Sequence, residues 1–267
     1  MPQVPPEVVT ATRISSLVWV LILGTLLITG QWWQPARNFR SKMLRLWKPS
    51  LGITLLYALS MGIGGLGFSS VSSIAKFCQA MIGLAIAYSI ADFEPLPVTQ
   101  AMVRREHRTD QIAQMLAAAV AIVFVVLVVA NGLPSLLVPL FRESTGQPQG
   151  IAPLFPPNAW QSFFLLLAGA GIAEETLYRL VSVSLFWRLT HRRWLAITIS
   201  ALLFGAYHLS PLDAAYRQYW ERPISIFITS AVMGIVMGYV YLKRGYETAL
   251  LGHTLGDWVP LLLSRAA

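Results

Sequence analysis

The sequence predicts an all-α protein, a polytopic transmembrane bundle of about eight helices, and three observations predict it. Of 267 residues, 55% are hydrophobic and only 12% are charged, against roughly 25% charged in an ordinary soluble domain. The mean hydropathy of +0.60 is higher than a soluble core of this length requires. Apolar runs of about 20 residues, the length that crosses a hydrocarbon core of about 30 Å, recur along the whole chain.

The first run, Ile14 to Ile28, follows a polar lead with one basic residue, Arg13. No small-residue cleavage site follows it. Gln31-Trp32-Trp33-Gln34-Pro35 stands there instead, and its Trp pair suits a membrane interface. The reading is an uncleaved span over 14–33. Further spans are predicted at 51–70, 74–91, 112–131, 160–187, 194–210, 223–242 and 248–263. The Gly/Ser-rich stretch from Gly62 to Ser73 predicts a tight hairpin between the second and third. Pro134 to Phe141 carries two prolines and is too short to cross, so an interfacial or re-entrant segment is expected. The chain divides into residues 1–150, about four helices and an external connection, and residues 151–267 with the other four. No internal repeat, low-complexity tail or soluble domain is evident.

The net charge of +8 does not point to nucleic acid, because no basic stripe is interleaved with aromatics. It lies in short loops. Loops 34–50, 92–111, 188–193 and 243–247 carry five, three, three and two Lys or Arg, whereas the opposite side carries six. That asymmetry predicts cytoplasmic placement of the four loops, with both termini outside. A multi-pass protein of the cell membrane is expected. The single cysteine, Cys78, lies in an apolar run; it excludes an internal disulfide and reads as a small buried residue.

An ionisable residue inside a span costs about 2.5–3.5 kcal/mol on insertion scales, so each marks a candidate functional position. The first four spans read as essentially free of them. The last four carry Glu174, Glu175 and Arg179, then His208, then His253 and Asp257. Residues four apart share a helix face, so Glu175 is expected to pair with Arg179 while Glu174 lies about 100° around the helix. At 1.5 Å rise per residue, Glu174, His208 and Asp257 lie roughly 20–22 Å from the basic residues at their span ends, and His253 roughly 14 Å. Three helices thus bring a spare carboxylate, two imidazoles and a further carboxylate to one level. A carboxylate with an imidazole can move protons between water and a leaving amine. A second imidazole can donate to an oxyanion. Two His and a Glu can also ligate zinc, although no His-Glu-x-x-His run is present. Phe204, Tyr178 and the glycines read as packing residues.

These residues resemble the CAAX protease and bacteriocin-processing family of intramembrane endopeptidases. That family carries Glu-Glu-x-x-x-Arg, Phe-x-x-x-His and His-x-x-x-Asn or Asp on successive helices. Here the motifs stand as Glu174-Glu175…Arg179, Phe204…His208 and His253…Asp257. The run from Phe227 through Gly234, Gly238 and Tyr241 to Gly245 is also similar. The resemblance covers roughly 160–263. It implies that Glu174 and His208 activate water, that His253 and Asp257 stabilise the oxyanion, and that Glu175 and Arg179 support them. Asp257 stands where the type II CAAX prenyl endopeptidases have Asn. An ionised Asp accepts and cannot donate, so it would orient His253, whereas a protonated one would donate. No cofactor is required by this chemistry and no metal ligand is assigned, with a divalent ion such as zinc left open. The expected partners are the bilayer and a lipidated or membrane-associated peptide. A non-catalytic immunity or scaffold protein and a transporter are the alternative readings; a transporter would spread its ionisable residues along a path.

Overall fold

The computed structural model describes residues 6–29, 34–67, 69–143, 155–213 and 215–266. Among them the protein is an all-α bundle without strands. Helix α1 spans Pro6–Thr29, α2 Gln34–Arg45, α3 Trp47–Ile63 and α4 Ser70–Ala87. They are followed by α5 at Pro97–Arg104 and α6 at Arg108–Leu140. One continuous helix then runs through α7 (Ala159–Leu166), two wider-wound segments, π1 (Leu167–Glu174) and π2 (Thr176–Val183), and α8 (Ser184–Thr190). The remaining helices are α9 at Arg193–His208, the short α10 at Tyr216–Tyr219, α11 at Pro223–Arg244 and α12 at Tyr246–Ala266.

A long helix occupies each of the eight positions expected for a span. Four are long and apolar enough to cross a membrane by length and composition: α1, α4, α6 and α11. Their outer faces present large apolar side chains such as Leu21, Phe124 and Val128, a surface suited to lipid. The Trp pair at residues 32–33 and most of the connection from Arg142 to Asn158 lie outside the described residues. Cys78 is free and buried.

Residues 134–141 depart from expectation. They are not a separate re-entrant piece, because α6 continues through Pro134 and Pro139 to Leu140. A membrane helix tolerates proline where neighbouring groups satisfy the backbone it frees. Phe141 N–H closes the end by donating to the Leu137 carbonyl at 2.9 Å. The α3–α4 hairpin is present, with Ser69 capping α4 through Ser72 N–H.

The core lies between the two halves of the chain. Leu84 of α4 and Ile122 and Val126 of α6 pack with Leu180, Trp187, Tyr241 and Tyr246 in one cluster. Polar ties close both ends of the bundle. At one end Glu143 accepts from Ile224 N–H at 2.7 Å and also bonds the Ser225 hydroxyl, which caps α11. There too, Glu7 pairs with Arg217 and accepts from Tyr216 Oη, joining α1 to the α9–α11 connection. At the other end Tyr246 N–H donates to the Pro95 carbonyl at 2.8 Å, and Glu247 accepts from Thr99 N–H at 2.9 Å.

Candidate active site

The helix that carries both glutamates is the irregular one. Its turns from Leu167 to Val183 are wound with i→i+5 bonding apart from Glu175, a rare form found mostly at functional positions. Gly171 allows α12 to cross close against it. A Cβ at Gly171 would lie 3.3 Å from the Leu250 carbonyl oxygen and would overlap the Thr254 hydroxyl. Thr254 follows His253 directly, so this close crossing carries His253 to the glutamates.

Glu175 and Arg179 are fully buried, and their ion pair measures 3.2 Å from Nε to Oε2. Among the described residues the guanidinium nitrogens make no hydrogen bond. The second support of the cation is the Phe204 ring, whose centroid lies 4.7 Å from Arg179 Cζ, in the range where a ring face attracts a cation. Glu175 serves a second partner as well. Its Oε1 accepts from His253 Nδ1 at 2.8 Å, which places the Nδ1 proton on His253 and points Nε2 the other way. There Nε2 faces Glu174 Oε2 at 3.8 Å and Asp257 Oδ2 at 3.6 Å.

His208 is oriented by its own helix. Its Nδ1 donates to the Phe204 carbonyl at 2.9 Å, leaving the Nε2 lone pair open. Phe204 then packs edge-on against both imidazoles, 4.6 Å from His208 and 5.8 Å from His253 between centroids. The expectation that Phe204 merely packs is too narrow, since it touches Arg179, His208 and His253 and supplies the carbonyl that sets a tautomer.

The structure thus brings Glu174, Glu175, Arg179, His208, His253 and Asp257 into one cluster. It also adds two residues that sequence reasoning missed. Asp213 is buried in the α9–α10 connection, with Oδ2 3.9 Å from His208 Nε2 and Oδ1 accepting from Ala215 N–H at 2.7 Å. Burial pushes its carboxyl up to about 7, and the charge on Asp257 adds to the rise. The readable signal was Ser210-Pro211-Leu212-Asp213, a turn with proline in its second position. Asp213 N–H donates to the Ser210 carbonyl at 3.0 Å, and the turn folds the carboxyl back onto the end of α9.

Lys76 is the second. It is one of the six basic residues of the side opposite the four loops, stands inside α4, and lines the same cavity as Glu174. The reading of the first four spans as essentially free of ionisable groups is therefore corrected: Lys76 stands near the outer end of the predicted span 74–91, and its charge was assigned to the flanking side and not to the span. Any metal would also find a different donor set from the two-histidine one considered above. Glu174, His208 and Asp213 offer ligand atoms all within 4.8 Å of one another, with Asp213 in place of the second histidine.

Residues 156–259 match the family model for type II CAAX prenyl endopeptidases of the Rce1-like kind. No curated protein and no solved structure matches the chain. The matched segment contains all three motifs and every residue that the sequence singled out for chemistry. The similarity to the Rce1-like family of CAAX-type intramembrane proteases is confined to residues 156–259.

Proposed function

We propose that the protein is a multi-pass endopeptidase of the cell membrane that hydrolyses a peptide bond in a lipidated or membrane-associated substrate, using water activated by Glu174 and His208. The observation that carries this reading is the pair of fixed tautomers. His208 spends its Nδ1 proton on Phe204 and keeps Nε2 as an acceptor beside Glu174 and Asp213. His253 spends its Nδ1 proton on Glu175 and turns Nε2 toward Glu174. One imidazole that accepts at Nε2 and one that, held among three carboxylates, donates from Nε2 when protonated suit amide hydrolysis.

Glu174 takes a proton from water, with His208 Nε2 holding the other hydrogen, and the water oxygen bonds to the carbonyl carbon. In its protonated form His253 donates from Nε2 to the oxyanion. Asp257, at 3.6 Å from that nitrogen, holds the ring in place. Glu174 then returns its proton to the leaving nitrogen as the C–N bond breaks. Glu175 and Arg179 keep His253 upright.

The test is a cleavage assay of the purified full chain against membrane peptides, with Glu174→Gln as control. Products absent with Glu174→Gln are expected; identical products from both proteins overturn the proposal. A chelator arm addresses metal. Activity is expected to persist after chelation, because carboxylate and imidazole can transfer the protons without a Lewis acid. One ion per chain, lost and regained together with activity, would recast Glu174, His208 and Asp213 as ligands.

A further inference from the structure

The cavity against Glu174 has a wall outside the family-matching segment. Its volume is about 190 Å³, and beyond Glu174 and Tyr207 it is lined by α1, α3 and α4, including Ser15, Ser72 and Lys76. Lys76 stands in the second turn of α4. Its ammonium donates to Gln79 Oε1 at 2.8 Å, which uses one of its three donors. Among the described residues no carboxylate lies within 4.0 Å of it. Arg179, the other cation of this region, has its own carboxylate at 3.2 Å.

A cation inside a membrane helix is retained at a cost and is ordinarily paired. Among the described residues Lys76 has an amide partner and an open space that it shares with Glu174, but no carboxylate at ion-pair distance. The open space leads to the carboxylate that the hydrolysis reading assigns to water activation. A compact ammonium with two further donors binds an anionic oxygen as a point charge, and the anion that a peptide brings is a carboxylate. The chamber is smaller than the roughly 300–1,000 Å³ of pockets for drug-sized ligands, so it suits one end of a peptide.

We propose that this cavity is an anion-recognising substrate subsite, in which Lys76 binds a carboxylate of the peptide whose scissile bond lies at Glu174. The inference rests on the protease reading for the identity of the ligand as a substrate. Lys76 is a specificity residue and takes no part in proton transfer.

The experiment is fluorescence polarisation with the full chain in phosphatidylcholine nanodiscs. The probe is a labelled pentapeptide of alanine and leucine in three forms: free C-terminal carboxylate, C-terminal amide, and C-terminal amide with a glutamate in the last position. The free carboxylate is expected to bind about tenfold to a hundredfold more tightly than the plain amide. The glutamate form tells a side-chain carboxylate from a terminal one, and tight binding of either supports the subsite. Lys76→Met should abolish the preference and leave amide binding unchanged, and Lys76→Arg should keep most of it. A preference that survives in Lys76→Met overturns the proposal, as does its absence in the wild type. Should phosphatidylglycerol nanodiscs abolish it, Lys76 belongs to a lipid phosphate and the proposal also fails. Binding requires no cleavage, so a carboxylate preference without turnover would count against the protease reading alone. Turnover that is indifferent to the carboxylate and to Lys76→Met would count against the subsite alone.

Discussion

The two halves of the chain use glycine differently, and the difference separates scaffold from site. Gly24, Gly52, Gly62 and Gly132, in the first half, would each accept a Cβ with nothing within 4 Å. In the second half a Cβ at Gly205 would lie 2.7 Å from the Phe227 carbonyl oxygen, and one at Gly234 would lie 2.8 Å from Ala201 Cα. The crowded glycines of the first half meet the second: Gly83 packs against Leu180, and Gly64 against Leu165 as well as the Ser60 carbonyl of its own helix. Close backbone approach therefore concentrates on the helices that carry the motifs. Bringing buried polar side chains within hydrogen-bond reach from three helices requires short interaxial distances, which small residues permit. Helices that mainly face lipid have no such requirement.

The largest effects should come from the reacting groups. Glu174→Gln and His208→Ala are each expected to lower cleavage about a thousandfold or more, with the double variant little worse than either, because the two act as one unit. Near-normal turnover in either single variant would remove the pair from the mechanism.

Next comes the buried support. Glu175→Gln leaves Arg179 without its counter-charge, a loss on the order of 3–5 kcal/mol for a broken buried pair, and it weakens the hold on His253. Glu174→Gln should unfold at nearly the wild-type temperature. Equal stability of the two variants in detergent unfolding would break the division of labour between neighbouring glutamates.

The glycine contrast itself can be tested. Gly171→Ala forces a methyl against Leu250 and Thr254, with an expected cost of about 1–3 kcal/mol and a fall in activity as His253 moves. Gly52→Ala should be neutral or stabilising by up to about 1 kcal/mol. A reversed order in thermal unfolding would show that the crossing at Gly171 can relax.

The smallest effect concerns pH. Asp213 ionises near 7 in the folded protein and near 3.9 when unfolded, so the folded state holds the proton more tightly. Its contribution to stability therefore falls as pH rises from about 4 to 7. Asp213→Asn should flatten that decline by a few degrees in a melting-temperature profile. An unchanged slope would mean that the loop carboxyl is solvated.

Much of this was legible from residue order. The motif helices, the Glu175–Arg179 pair and the meeting of Glu174, His208, His253 and Asp257 follow from apolar run length and four-residue spacing. Lys76 was hidden because it stands near the start of the predicted span 74–91, where hydropathy does not separate a flanking cation from one that lines a cavity. Asp213 was hidden because it reaches His208 through a turn, outside any helical period. The continuation of α6 through two prolines was hidden because proline rules describe water-exposed helices better than packed or lipid-facing ones.

By itself the sequence determined which helices form and which carry charge, since hydropathy and spacing are properties of neighbours along the chain. Only the tertiary structure decided that Glu175 serves both Arg179 and His253, that Phe204 sets the His208 tautomer, and that Lys76 and Asp213 join the site. Those facts depend on the approach of helices far apart in the chain. That approach is set by glycine contacts and by the His253–Glu175 hydrogen bond, which no single helix contains.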